Sequence, residues 1–390
     1  MWRLAMLDEF YSVAQSISNT YLENEKAQGT PCIGYTCSYF PEEILHSFGI
    51  IPYRIKGLNV HSLQVADAAF GPFICSHPKC LLQHFADGDY SFLDGIIVTP
   101  GCDSMRRIDE CIRKTAVNLD LPIVPPFFFH YAVPHKITEY SIKWLVDELS
   151  RCIEHIEKHF GLSFSMDKLK SSISFYNNLR RLWEELNSLR LHEPPLLSGA
   201  DATAVFVAGL SMPRDSYYEK LSQFIKHYSG KEYDNRKRLM LIGSANDDIE
   251  LIKIVESDYA VVVADTLCYG PRLEVDYVTE QDDPLHALAV RYLTHSHCPR
   301  MYGGYRQRLA KVVDAIQKAN VEGVVLQNIR FCDLHGAENG LLERDLEKMG
   351  IPCLRLEREY GPLADYERLR MRIDAFIERL DARRVVCDRH

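Results

Sequence analysis

Short, wholly apolar runs alternate with helical stretches in two separate blocks of this chain, and that rhythm admits few folds. In the first block, Ile33-Gly34-Tyr35-Thr36-Cys37, the stretch Pro41 to Gly49, and Ile50-Ile51-Pro52-Tyr53-Arg54-Ile55 read as strand, helix, strand. Pro41 suits a first helical position and Gly49 a C-terminal cap. Asp94-Gly95-Ile96-Ile97-Val98-Thr99-Pro100 and Leu121-Pro122-Ile123-Val124-Pro125-Pro126 predict two more strands, with a helix from about Ser104 between them. The second block has runs at Arg238 to Ser244, Tyr259 to Ala264, Gly323 to Gln327 and Ile351 to Leu356. Strands that alternate with helices imply βαβ units and parallel sheets. Between about 136 and 235 the strand signals vanish, and Ile142 to His159 and Met166 to Leu191 carry helical spacing. Leu4, Leu7, Phe10, Tyr11 and Val13 predict a helix at the start, and Gly29-Thr30-Pro31 breaks the pattern.

The expectation is therefore an α/β protein: two Rossmann/flavodoxin-like parallel-sheet domains, a helical segment between them, and an N-terminal helix. The boundaries are 1–135 for the N-terminal helix and first α/β domain, 136–235 for the helical connecting region, and 236–390 for the second α/β domain. A length of 390 residues, at roughly 150 per domain, agrees with two or three units. Asp94-Gly95-Ile96-Ile97-Val98 leads to Cys102-Asp103, and Glu322-Gly323-Val324-Val325-Leu326 leads to Cys332-Asp333, so the two blocks share a phrase that reads as an internal duplication.

Apolar residues at 46% and charged residues at 25% supply a core and exclude a disordered chain. A net charge of -9, from 45 basic and 54 acidic residues, argues against a nucleic-acid partner, which needs a basic face. No window approaches the roughly 18 apolar residues of a membrane span, and the start is too briefly apolar for a signal peptide. A cytoplasmic protein is expected, with its 12 cysteines kept as thiols.

In open α/β sheets ligands collect outside the carboxyl ends of the strands. Cys37, Cys102, Cys268 and Cys332 each follow a predicted strand there. Cys75 and Cys80 fall in Cys75-Ser76-His77-Pro78-Lys79-Cys80 at a helix start, and Cys298 follows a helix. Cys32, Cys111, Cys152, Cys353 and Cys387 lie where a small buried hydrophobe suffices. No C-x2-C pair suggests zinc. Cys32 and Cys37 are spaced C-x4-C, as are Cys75 and Cys80, with no second tight pair nearby. Thiolates scattered over several loops suit a site assembled by the fold, with soft iron-sulfur chemistry.

Gly34-Tyr35-Thr36-Cys37-Ser38-Tyr39-Phe40-Pro41-Glu42-Glu43-Ile44, Gly49-Ile50-Ile51-Pro52, Cys75-Ser76 with Lys79, and Cys102-Asp103-Ser104-Met105-Arg106-Arg107 carry a family resemblance. It extends through Asp265-Thr266-Leu267-Cys268-Tyr269-Gly270-Pro271-Arg272, Arg291-Tyr292-Leu293 with Cys298-Pro299, Phe331-Cys332-Asp333, and Arg372 to Glu378. The chain resembles the large subunits of 2-hydroxyacyl-CoA dehydratases and class I benzoyl-CoA reductases, together with the double-cubane cluster proteins. The resemblance implies that Cys75, Cys102 and Cys332 hold a 4Fe-4S cluster. Cys268 and Cys298 match positions occupied by cysteine in the cysteine-rich branches, and Cys37 or Cys80 would complete six thiolates, the number a double-cubane 8Fe-9S cluster needs at three per cubane. It implies an ATP-dependent activator with its own 4Fe-4S cluster, an acyl-CoA acceptor, and a homodimer or a heterodimer with a related subunit. A second reading is a double-cubane reductase of small molecules without a CoA site, and a third is a non-catalytic subunit of a heterodimer.

The chain departs from the family pattern at Gly243-Ser244-Ala245-Asn246-Asp247-Asp248, where a Gly-Ser/Cys-Pro turn is expected. Arg106 and Arg107 are candidates for CoA phosphates or for a charged helix face. Glu42 and Glu43 are expected to favour a helix dipole, and His77 and His297 to donate hydrogen bonds or protons beside the cysteines. With no G-x-G-x-x-G or P-loop, ATP belongs to a partner.

Overall fold

A computed structural model describes all residues except 1, 122, 229, 274–275, 281–282, 296–297 and 388–390. Among the described residues eight short strands form two sheets of four. The first contains β1 (Cys32–Tyr35), β2 (Ile51–Arg54), β3 (Gly95–Val98) and β4 (Phe127–His130); the second contains β5 (Lys237–Gly243), β6 (Ala260–Asp265), β7 (Gly323–Ile329) and β8 (Cys353–Arg358). Their orders are β2-β1-β3-β4 and β6-β5-β7-β8, with every pairing parallel.

Parallel strands are covered on both faces, so their sequences are continuously apolar. Side chains alternate between the faces: Leu239 and Leu241 of β5 enter one core, Met240 and Ile242 the other. Around the first sheet Ile33 and Ile97 face one core, Ile96 and Val98 another. The predicted strand over 121–126 is not formed among the described residues, and β4 begins at Phe127. Pro125 and Pro126 offer no amide hydrogen to a ladder, so pairing starts after them.

The helices of the intervening region include Glu139–Phe160 and Met166–Leu191. Thr138 and Ser165 cap them by accepting from Ser141 N and Lys168 N. The N-terminal helix Trp2–Ala14 buries Met6, Leu7, Phe10 and Val13 in the core of the second sheet, alongside Trp183 and Leu239. Among the described residues no helix is long and apolar enough to cross a membrane.

The shared phrase occupies equivalent places in the two sheets. Asp94, before β3, accepts from the amide of Cys32 at 2.7 Å, and its own amide donates to the Cys32 carbonyl at 2.9 Å. Glu322, before β7, accepts from the amide of Arg238 at 3.0 Å and donates to its carbonyl at 2.8 Å. Each acid locks the third strand against the start of the first. The two units meet through Tyr269 Oη donating to the Ile55 carbonyl at 2.7 Å, Gly57 N to Asp247 at 3.1 Å, and Tyr360 N to Ser76 Oγ at 2.9 Å. These bonds join loops at the carboxyl ends of the strands, the edge where the sequence places its cysteines.

Candidate metal centre

Three cysteines stand immediately before helices at this edge. Cys75 is the N-cap of Ser76–Asp87, Cys102 of Asp103–Arg106 and Cys332 of Asp333–Lys348. Amides at a helix start are unpaired within the helix and favour a negative sulfur. Met105 N donates to Cys102 Sγ at 3.5 Å; the His77 amide and Ser104 hydroxyl lie near Cys75, and the His335 amide and Ser244 hydroxyl near Cys332, where each favours the thiolate. Cys37 follows β1, and a methyl on Gly101 would stand 3.5 Å from its sulfur, beside Cys102. Cys268 follows β6, and Cys298 follows the helix Pro284–Thr294.

The electrostatics tie these six together. Burial pushes the Cys75 thiol well above its ordinary range, and Cys332 and Cys102 add to the rise. Cys102 is pushed up to about 12, chiefly by burial, with Cys332, Cys298 and Cys37 all within Coulombic reach. Cys268 is pushed up to about 11 by burial; Arg54 and Arg272 oppose the rise, while Cys37 and Cys298 add to it. Burial also raises Cys332, with Cys298 contributing. All described cysteines are free. Among the described residues no three His, Cys, Asp or Glu side chains close on one point as a single metal ion requires. The six sulfurs are instead linked through Coulombic reach of one another at the edge where the two units meet.

Cys80 is not among them. It lies inside the helix Ser76–Asp87, its sulfur 4.0 Å from the Tyr360 carbonyl, and its charged neighbours are Asp247, Asp67, Glu359 and Lys79. Arg106 and Arg107 are exposed and pair with Asp103 and Glu110 along their own helices. Glu42 and Glu43 do more than favour a helix dipole. Both are buried, Glu42 against Arg214 at 2.6 Å and Glu43 against Arg180 and Tyr292, so they bind the segment after Cys37 to three distant helices. His77 is a neutral imidazole: burial lowers its pKa to about 3, with Arg54 and Arg358 acting the same way. It is not a proton donor near neutrality. His297 lies outside the described residues.

Two groups at the cleft escape a reading of cysteines alone. Arg54 ends β2, is buried, pairs with no carboxylate among the described residues, and lies over the rings of Tyr35 and Tyr269 at 5.4 and 4.7 Å. The clue in sequence is an arginine closing an apolar strand at the same edge as Cys37. Ser244, in the departing loop, accepts from Ile329 N at 3.1 Å, and its hydroxyl near Cys332 favours the thiolate.

A family model described as 2-hydroxyglutaryl-CoA dehydratase, D-component, matches residues 37–380. The chain is 24% identical over 377 residues to the (R)-phenyllactyl-CoA dehydratase beta subunit of Clostridium sporogenes, covering 96% of this chain and 98% of that one. It is 25% identical to the beta subunit of (R)-2-hydroxyglutaryl-CoA dehydratase from Acidaminococcus fermentans, at 96% and 99% coverage. One of the subunits of benzoyl-CoA reductase from Thauera aromatica is also 25% identical, over 83% of this chain and 84% of that one.

Proposed function

The chain belongs to the 2-hydroxyglutaryl-CoA dehydratase D-component family, and on that premise we propose that it is the iron-sulfur subunit of a dehydratase or reductase complex acting on an acyl-CoA. What supports this reading is that six cysteines from six separate loops are linked through Coulombic reach of one another. The donor set fits the group: it is all soft sulfur, which selects iron-sulfur chemistry over hard cations. The thiols of Cys75, Cys102, Cys268 and Cys332 resist ionisation alone, so holding them together as thiolates requires a strongly cationic partner. Iron in a cluster provides that charge, and it would supply low-potential one-electron chemistry to the bound substrate.

In this reading Cys75, Cys102 and Cys332 hold one set of irons, and Cys37, Cys268 and Cys298 a second. Cys37 takes the sixth place because Cys80 is committed to the packing of Tyr360 and Gly361. Ser104, Ser244 and the first amides of the helices lie near the sulfurs and stabilise their anionic form. Arg54 and Arg272 offset the charge on Cys268. ATP hydrolysis and the first electron come from an activator protein, and a related subunit completes the complex.

Six sulfurs also favour a second reading, a double-cubane reductase of small molecules with no CoA site. The experiment is anaerobic purification with iron and sulfide analysis and EPR of the reduced protein. About eight iron per chain supports two cubanes and about four supports one. Zinc, or no metal, refutes both readings, and CoA binding separates them.

A further inference from the structure

A cavity of about 380 Å³ opens in the second unit, between Ile242 of β5, the helix Tyr305–Lys318 and the helix Asp333–Lys348. No cysteine lines it among the described residues. Its volume is at the lower end of the ~300–1,000 Å³ usual for ligand pockets, so a small molecule fits and a whole coenzyme does not. Ile242, Val312 and Leu342 give it an apolar wall.

Arg272 lines this cavity and is only 4% exposed. Its Nε has no hydrogen-bond partner, and no carboxylate pairs with it among the described residues. The acids that line the same space are already engaged. Asp265 holds Arg190 at 2.8 Å, Glu338 holds Arg308 at 2.8 Å, and Asp314 holds Lys318 at 2.9 Å. Lys311, exposed on the helix Tyr305–Lys318, also lacks an acidic partner among the described residues. A buried guanidinium with no carboxylate beside it is costly. Its planar fork of donors matches a carboxylate.

We propose that this cavity binds a short aliphatic carboxylate, with the carboxylate on Arg272, Lys311 at the mouth, and the hydrocarbon against Ile242, Val312 and Leu342. The apolar wall selects an alkyl carboxylate over inorganic phosphate, which has nothing to place there. This site stands whether or not the cysteine cleft holds iron.

The test is isothermal titration of the full-length, anaerobically purified chain with hexanoate, acetate, inorganic phosphate and hexanol. Hexanoate is expected to bind once per chain and at least tenfold more tightly than acetate or phosphate, with no binding of hexanol. Arg272→Gln should weaken hexanoate at least tenfold and Arg272→Lys less. Lys311→Gln, a surface change that leaves folding intact, should weaken it two- to fourfold. Any of three results overturns the proposal: no saturable hexanoate binding, hexanol binding as tightly as hexanoate, or phosphate binding more tightly. So does a folded Arg272→Gln that binds hexanoate like the wild type, since Arg272 would then serve only the sulfur of Cys268.

Discussion

Gly243→Ala should cost this protein much of its stability and disturb the cysteine cleft at once. Gly243 ends β5 opposite Gln327 of β7, at φ +152°. A methyl there would lie 1.8 Å from the Gln327 carbonyl oxygen and 2.8 Å from its carbon, and both are backbone atoms of a central strand that cannot rotate away. Strain from the backbone conformation contributes about 1–3 kcal/mol and overpacking about another 1–3 kcal/mol. Their sum, about 2–6 kcal/mol, is a large fraction of a typical 5–15 kcal/mol. The next residue is Ser244, whose hydroxyl accepts from Ile329 N and lies near Cys332, so displacing this turn takes a stabilising polar group from the Cys332 sulfur. Urea unfolding followed by circular dichroism measures the first effect, and iron content after anaerobic purification the second. Gly336→Ala is the control: it lies exposed in the helix Asp333–Lys348 with no atom within 4 Å of an added methyl, and it should gain roughly 0.5–1 kcal/mol. If Gly243→Ala unfolds within about 0.5 kcal/mol of the wild type, the steric argument is wrong.

Cys268→Ser should reduce iron from about eight to about four per chain while Cys152→Ser, in an apolar core, leaves it unchanged; equal iron in both variants would exclude the second cubane. Glu42→Ala strands the buried Arg214 and should lower the unfolding free energy by about 3–5 kcal/mol, whereas Glu250→Ala breaks only the exposed pair with Lys253 and should cost about 0.5 kcal/mol or less. A Glu42→Ala loss no larger than that of Glu250→Ala would mean the buried pair is not structural. After anaerobic chelation, iodoacetamide and mass spectrometry should find Cys268 and Cys332 labelled under native conditions, more so as pH rises towards their elevated pKa values. Cys32, Cys80 and Cys152, each 0% exposed, should react only on unfolding, and native labelling of Cys80 would contradict its packing.

Much of the architecture was legible because a strand covered on both faces must be apolar throughout, as Leu239 to Ile242 and Val261 to Val263 are. The long helices were legible from spacing, and four cleft cysteines from their place after strands. Tertiary partners were not. Glu42 and Arg214 are 172 positions apart, so nothing local distinguishes that ion pair from a helix-dipole residue. Cys80 is five residues beyond Cys75, about 1.4 helical turns, and its sulfur faces Gly361, which is why the proposed ligand set takes Cys37 in its place. Arg54 and Ser244 were invisible as site residues because their roles depend on loops from both units meeting.

The two sheets share one strand order, and the acid that precedes the third strand makes the same pair of backbone contacts in each, through Asp94 and Glu322. That equivalence places Cys102 and Cys332 alike, each before the helix that follows its third strand. The symmetry ends at the first strand. After β1 the chain presents Cys37, and after β5 it presents Ser244, whose hydroxyl lies near the sulfur of Cys332 and favours its thiolate instead of adding a sulfur of its own. Two like scaffolds thus present an unequal set, with sulfur where one unit has Cys37 and a hydroxyl where the other has Ser244. In the proposed assignment a polar group that stabilises a ligating sulfur raises the potential of the iron it would hold, so Ser244→Ala should lower the potential of the proposed cluster on Cys332 while the iron content stays near that of the wild type. An unchanged potential in an EPR-monitored redox titration would mean that the serine only secures Ile329.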